Sequence, residues 1–198
     1  KRSMVVPESV LGKIVVHPSV PSSNPWYAEI FSYLNRLASD PAIMHVCHLH
    51  GYKVGTLTEL LPHEHPELLG LNINMGDTIL LRIRTDAADG LRDYKTTRRV
   101  LIHELCHIEI AGHPPEFNAL NSQLNREVEA FEHNQILGTH RLSTEPVYEP
   151  ACNVPVDADE EREERRRKIL AATEKRLADI DQNIQSQCGD SKKVPFSK

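Results

Sequence analysis

The sequence predicts an α+β domain, a small mixed sheet flanked by helices, followed by a charged C-terminal helix. Three observations lead there. Apolar residues recur three and four apart in several stretches, as on one face of a helix. Short runs of β-branched residues between them are near neighbours along the chain, which suits a small sheet. The strongest change of composition falls between Gly138 and Asp157, a stretch holding Pro146, Pro150 and Pro155.

A short strand is expected near Lys13 to Val16. In the helix after it, Ser23 or Asn24 caps the start, Pro25 sits in the first turn, and Trp26, Ile30, Leu34 and Leu37 share a face. A second helix from Asp40 to about His50 ends at Gly51. "YKVGTLTEL", "LGLNIN" and "TILLRIRT" read as strands, the last two joined by a turn at Met75, Gly76 and Asp77. From about Tyr94 the period changes. Val100, Leu101, Leu105 and Ile108 form a helical stripe that Gly112, Pro114 and Pro115 stop, and Phe117, Leu120, Leu124, Val128 and Phe131 mark a longer helix packing on it. The expected organisation is a domain over 1–138, a linker over 139–156 and a charged helical tail over 157–198. In the tail, seven acids and seven bases fall between Asp157 and Arg176, mostly acids first, an order that complements a helix dipole.

Composition narrows the function. No apolar run approaches the roughly 18 residues of a membrane span, and no secretory leader is evident. The cysteines at 47, 106, 152 and 188 form no CxxC pair, which fits a reducing, intracellular setting in nucleus or cytoplasm. A net charge of -5 argues against broad affinity for nucleic acid, so any DNA contact must be local. The unusual number is 11 histidines.

The chain reads "VLIHELCHIEIAGHPPEF" near residue 100. His103 and His107 are four apart, about 40° around a helix, so both imidazoles reach one ion. Glu104 lies on the adjoining surface, where a carboxylate can take a proton from water activated by the metal without being a ligand. His113, beyond the break at Gly112, can swing round as a third ligand and leave a fourth position open. Zinc suits this set. Other histidines lack such a frame: His45, His48 and His50 with Cys47 have no completing partner, His63 and His65 sit in a loop, and His133 and His140 fall outside. Cys106 points away from the shared histidine face and reads as a packed side chain.

Together, "LASDPAIMHV", "YKVGTLTELLP", "LLGLNINMGDTILLRIR" and "LIHELCHIEIAGHPPEFNALNSQLNREVE" resemble the WLM-domain zinc metalloproteases over roughly Leu11 to Glu132. The resemblance implies a zincin-like core, a DNA-stimulated protease acting on DNA-protein crosslinks, zinc ligands at His103, His107 and His113, and a catalytic glutamate at Glu104. "FNALNSQLNREVE" is similar to the subgroup with an upstream ubiquitin-like domain, which fits a chain that starts at Lys1. Two departures from the wider metzincin pattern stand out: Ile110 replaces a glycine, and no methionine follows His113. "TILLRIRT" is expected to offer an edge to an extended substrate.

Between Arg82 and Arg99, the bases Arg82, Arg84, Arg92, Lys95, Arg98 and Arg99 outnumber three aspartates, so Arg82, Arg84, Arg98 and Arg99 are candidates for DNA contact. In the tail, Arg165, Ala171, Ala172 and Lys175 resemble the motif by which helices dock on the valosin-containing-protein unfoldase, a AAA+ enzyme. That motif ends in arginine; here Lys175 holds the place and Arg176 follows. Small alanines permit close approach while the basic arms reach acids on a groove wall. "VPVDADEE" from Val154 is a weak candidate for a SUMO-binding strand. The expectation is a zinc endopeptidase acting on proteins attached to DNA or carrying ubiquitin-like modifiers, recruited to the unfoldase by its tail. Its rivals are a non-catalytic unfoldase adaptor with a structural metal, and a small-peptide hydrolase with the same metal core.

Overall fold

The computed structural model describes residues 10–87, 89–139 and 156–189. Four strands and five helices follow in the order β1 (Leu11–Val15), α1 (Trp26–Ala38), α2 (Pro41–His50), β2 (Val54–Glu59), β3 (Gly70–Ile73), β4 (Thr78–Leu81), α3 (Tyr94–Cys106), α4 (Pro115–Thr139) and α5 (Val156–Gln187). The strands make one mixed sheet in the order β1-β2-β4-β3, with β1, β2 and β4 parallel and β3 antiparallel to β4. The α+β expectation holds. One detail is corrected: β4 lies inside the sheet, so "TILLRIRT" offers no edge, and the rim on the side of α3 is β3. Hydropathy alone does not order strands, because that order is set by contacts across the chain.

Local chemistry explains the boundaries. The Asp40 carboxylate accepts from the Ala42 and Ile43 amides to start α2, and Gly51, left-handed at φ 69°, ends it. Between β3 and β4 the chain turns through three consecutive positive φ values at Asn74, Met75 and Gly76. Asp93 caps α3 through the Thr96 amide. That helix stops at Cys106 rather than at Gly112, because the next amides fold back in a turn, Ile108 onto the Leu105 carbonyl and Ile110 onto that of Cys106.

The core lies between the sheet and α1 to α4. Ile30, Leu34 and Leu37 of α1, Leu57, Ile79 and Leu81 of the sheet, Leu101 and Leu105 of α3, and Phe117 and Leu124 of α4 have no exposed surface. Ile184 and Cys188, at the end of α5, join the same core, so a boundary near residue 138 does not separate the end of that helix from the domain. Residues 140–155, most of the expected linker, lie outside the described residues. So do Val154 and Pro155 of the candidate SUMO-binding strand, and from Val156 onward that segment is helical rather than extended.

Candidate metal centre

The last turn of α3 carries His103 and Glu104, and His107 caps its end. All three are completely buried. The turn after His107 is held from inside: its Nδ1 lies 2.9 Å from the Ile110 carbonyl, a contact that makes Nδ1 the protonated nitrogen and leaves the Nε2 lone pair for a ligand. The chain then passes Gly112 and brings back His113, half-buried, with its Nε2 3.0 Å from that of His103. The ring centroids of the three histidines stand 5.1, 5.0 and 4.9 Å apart, and one nitrogen from each lies within 4.8 Å of the others.

The donor set fits zinc. Three imidazole nitrogens that close would repel one another as lone pairs, and tetrahedral zinc at about 2.0–2.1 Å from each puts its ligand atoms roughly 3.3 Å apart. Burial, with help from the two neighbouring imidazoles, pushes His103 down to about 3, which keeps it in the neutral, ligating form. Burial pushes Glu104 up to about 8. The Cys188 thiol beside it offsets only part of that rise, and no amide, hydroxyl or cation of the described residues hydrogen-bonds either oxygen. A buried carboxylate left in this state is costly unless something not of the chain completes it.

Several residues of the site escape a reading of spacing. Phe117, the first apolar residue of α4, places its ring 4.7, 4.6 and 4.7 Å from those of His103, His107 and His113, a dry floor under all three. Asn72 of β3, fully buried, donates to the Glu104 carbonyl at 2.7 Å and accepts from the Gly76 amide at 2.8 Å, tying the edge strand to α3. Gly70 leaves room for the Glu104 carboxylate, into which a Cβ would run. Cys188, from beyond α5, forms a second cluster with His103 and Glu104, its sulfur within 4.8 Å of a ligating atom of each. Only the short spacing from His113 to Phe117 gave a sequence signal for any of these.

The remaining candidates fall elsewhere. Arg82 pairs with Asp86 and with the His65 carbonyl, and Arg84 grips Glu59 with two bonds at 3.0 and 3.1 Å. Arg98 bridges Asp40 and Glu132, and Arg99 bridges Glu129 and Asp181. The four arginines proposed to meet DNA are thus engaged by the chain's own acids. Arg165, Ala171, Ala172, Lys175 and Arg176 are all exposed on α5. His45 stacks on Phe131 and His50 meets Glu127 at 2.7 Å, so that histidine tract serves packing. No helix among the described residues is long and apolar enough to cross a membrane.

The WLM-domain family model matches residues 14–194. Among curated proteins, the "DNA-dependent metalloprotease WSS1 homolog 2" of Schizosaccharomyces pombe is 43% identical over 104 residues, 50% of this chain and 37% of that protein. The chain therefore spans little more than a third of that relative's length. The crystal structure of Wss1 from S. pombe superposes with a TM-score of 0.52 at 37% identity, covering 61% of this chain and 94% of the other. Wss1 from Saccharomyces cerevisiae shares the fold at a TM-score of 0.57 and 22% identity, over 65% of this chain and 95% of its own.

Proposed function

This chain belongs to the WLM-domain family, and from that premise we propose that it is a zinc-dependent endopeptidase cleaving proteins attached to DNA or carrying ubiquitin-like modifiers. The observation that carries the reading is the Glu104 carboxylate, completely buried beside three converging imidazoles with only the Cys188 thiol near it as a polar side chain outside that set. A purely structural zinc site closes with four protein ligands and has no use for such a group. The S. pombe relative's description as a DNA-dependent metalloprotease supports the same reading.

Held by His103, His107 and His113, zinc would polarise the peptide carbonyl and acidify water beside it. Glu104 takes the proton of the attacking water and returns it to the departing amine nitrogen, so one carboxylate serves both halves of the reaction. Asn72 holds the Glu104 backbone at a fixed height against the sheet edge. Phe117 keeps water from beneath the imidazoles, where it would loosen their geometry.

Recruitment to a valosin-containing-protein-type AAA+ unfoldase belongs to this proposal. Arg165, Ala171, Ala172, Lys175 and Arg176 lie on a stretch of α5 that is exposed throughout, and Ile169 and Leu170 beside them are 67% and 60% exposed. An exposed apolar pair between basic arms suits an amphipathic groove.

The test is cleavage of a DNA-binding protein by the zinc-loaded chain, with and without single-stranded DNA, beside Glu104→Gln. Cleavage should require DNA and fall roughly a thousandfold in the variant, with zinc retained. A variant as active as the parent removes Glu104 from the chemistry. Absence of cleavage in both, with zinc and unfoldase binding intact, makes the chain an adaptor with a structural metal.

A further inference from the structure

Five residues separate His107 from His113, and they must place an imidazole accurately although neither the glycine nor the methionine of the wider metzincin pattern is present. The backbone of this turn is tied to α3 by the Ile108, Glu109 and Ile110 amides, which donate to the Leu105 and Cys106 carbonyls. Ile108 lies close to Gly76, where a Cβ would meet its side chain at 3.1 Å. Glu109, exposed at the middle of the turn, reaches further, to the segment between α2 and β2.

Tyr52 stands in that segment and is 3% exposed. Its hydroxyl donates to Glu109 Oε1 at 2.5 Å, across 57 residues of sequence. Burial first, and then the Glu109 carboxylate, push the Tyr52 pKa up, so the hydroxyl keeps its proton and remains the donor. The far side of the ring is anchored as well. Tyr52 stacks on His50 with centroids 5.3 Å apart and planes 20° apart, and His50 Nε2 lies 2.7 Å from Glu127 Oε2 on α4. Gln123 donates to the other oxygen of Glu127 at 2.9 Å. Glu109, Tyr52, His50 and Glu127 thus form one row from the turn to α4. Glu109 precedes His113 by four residues and Glu127 follows it on the helix that begins at Pro115, so the row ties together the two pieces of chain on either side of the third histidine.

We propose that Tyr52 is a positioning residue of the metal centre: through Glu109 it fixes the turn that presents His113, and through His50 it sets that turn against α4. The inference rests on the reading of His103, His107 and His113 as zinc ligands. Tyr52 reaches neither metal nor substrate, so its part is to keep His113 at one distance from the histidine pair at the end of α3. A ligand that drifts lets the metal escape, and outer partners of this kind typically change metal affinity by about 10–100-fold. Because Glu109 is exposed, loss of the hydroxyl leaves its carboxylate to water rather than stranding it, so the effect falls on the metal and not on the fold.

The experiment loads the whole chain with zinc and follows its release to a chromophoric chelator, for the parent, Tyr52→Phe, Glu109→Ala, Glu109→Gln and the double variant that combines the first two. Denaturant unfolding of the zinc-free proteins is measured beside it. Tyr52→Phe keeps the ring and its stack on His50, and should release zinc roughly tenfold faster or more, with the zinc-free unfolding midpoint close to the parent's. Glu109→Ala should do the same, and the double variant should do no more than either alone. Glu109→Gln, which retains an oxygen for the hydroxyl, should recover most of the loss. Cobalt in place of zinc should show the same order in its visible absorption, which reports the ligand geometry. Zinc release at the parent's rate in Tyr52→Phe overturns the proposal. So do independent effects of the two substitutions, or a fall in zinc-free stability that matches the faster release, which would make Tyr52 an ordinary support of the fold. A parent that holds no zinc removes the metal centre and the positioning role together. Zinc held and released in the expected order, with no cleavage of a DNA-bound protein, would end the endopeptidase reading and leave Tyr52 in its role.

Discussion

The two halves of α3 treat their polar side chains in opposite ways. Toward its start, Arg98 meets Asp40 and Glu132, and Arg99 meets Glu129 and Asp181, so each charge is answered by two carboxylates of the chain. Toward its end, His103 and Glu104 are completely buried, yet His103 Nδ1 has no hydrogen-bond partner among the described residues and the Glu104 carboxylate has only the Cys188 thiol beside it. Both halves bear the cost of burying polar groups. In one the chain itself recovers most of it; in the other little of the chain does, which is what the proposed metal and substrate would answer. Polar groups that stabilise are satisfied internally, and those left incomplete are the ones proposed to react.

The largest effect should come from attacking the incomplete half. His107→Ala removes one of the three proposed ligands, so zinc measured by elemental analysis should fall from about one per chain to near none, and cleavage with it. An equivalent truncation in the satisfied half, Arg98→Ala, should leave zinc content unchanged. If His107→Ala kept stoichiometric zinc, the ligand assignment would be wrong and the contrast between the halves would lose its meaning.

A smaller effect tests the satisfied arginines away from the helix. Arg84 holds Glu59 with two bonds, and the Glu59 side chain is wholly buried. Arg84→Ala should cost about 3–5 kcal/mol of stability in denaturant unfolding, since it strands a buried carboxylate. The affinity of the folded chain for DNA should hardly change. A large loss of DNA affinity with stability intact would restore Arg84 to the role its local excess of positive charge suggested.

The contrast also explains what could be read in advance. The convergence of His103, His107 and His113, with Glu104 beside them, was legible because it follows from spacing on one helix and one turn, all within eleven consecutive residues. The element order was legible for the same reason, as hydrophobic period and caps are local. Cys188 was not: its stripe of Leu177, Asp181, Ile184 and Cys188 includes a charge and a thiol, and it is lost in a helix dense with acids and bases. The arginines read as a basic patch because their partners, Glu59, Asp40, Glu132 and Asp181, lie far along the chain. That β3 rather than β4 forms the rim follows from strand order, which no short window records. Gly112 and the prolines marked a latest stop for α3, while the actual stop at Cys106 depends on backbone bonds made by the next turn.

The smallest effect concerns Asp40, where the satisfied half of α3 reaches across to α2. Its carboxylate accepts from the Ala42 amide at 2.9 Å, from the Tyr94 hydroxyl at 2.6 Å and from Arg98 at 3.2 Å. Burial by itself would raise its pKa, but the hydrogen bonds from Tyr94 and Arg98 outweigh burial and hold it below the usual carboxylate range. A group whose pKa is lower in the folded than in the unfolded chain lends its full stability above the unfolded value and loses it as pH falls through the folded one. An asparagine in its place could still accept at the helix start but would lose the charge opposite Arg98. Asp40→Asn should therefore cost about 1–2 kcal/mol near neutral pH. The difference from the parent should shrink only in acid, below the ordinary carboxylate range, where the parent's own Asp40 takes up its proton. Parallel unfolding curves across pH would show this, with zinc content unaltered at neutral pH. A gap that stayed constant into strong acid would mean that Asp40 works by shape and hydrogen bonding alone, and the charge balance drawn for this half of α3 would then rest on Glu132.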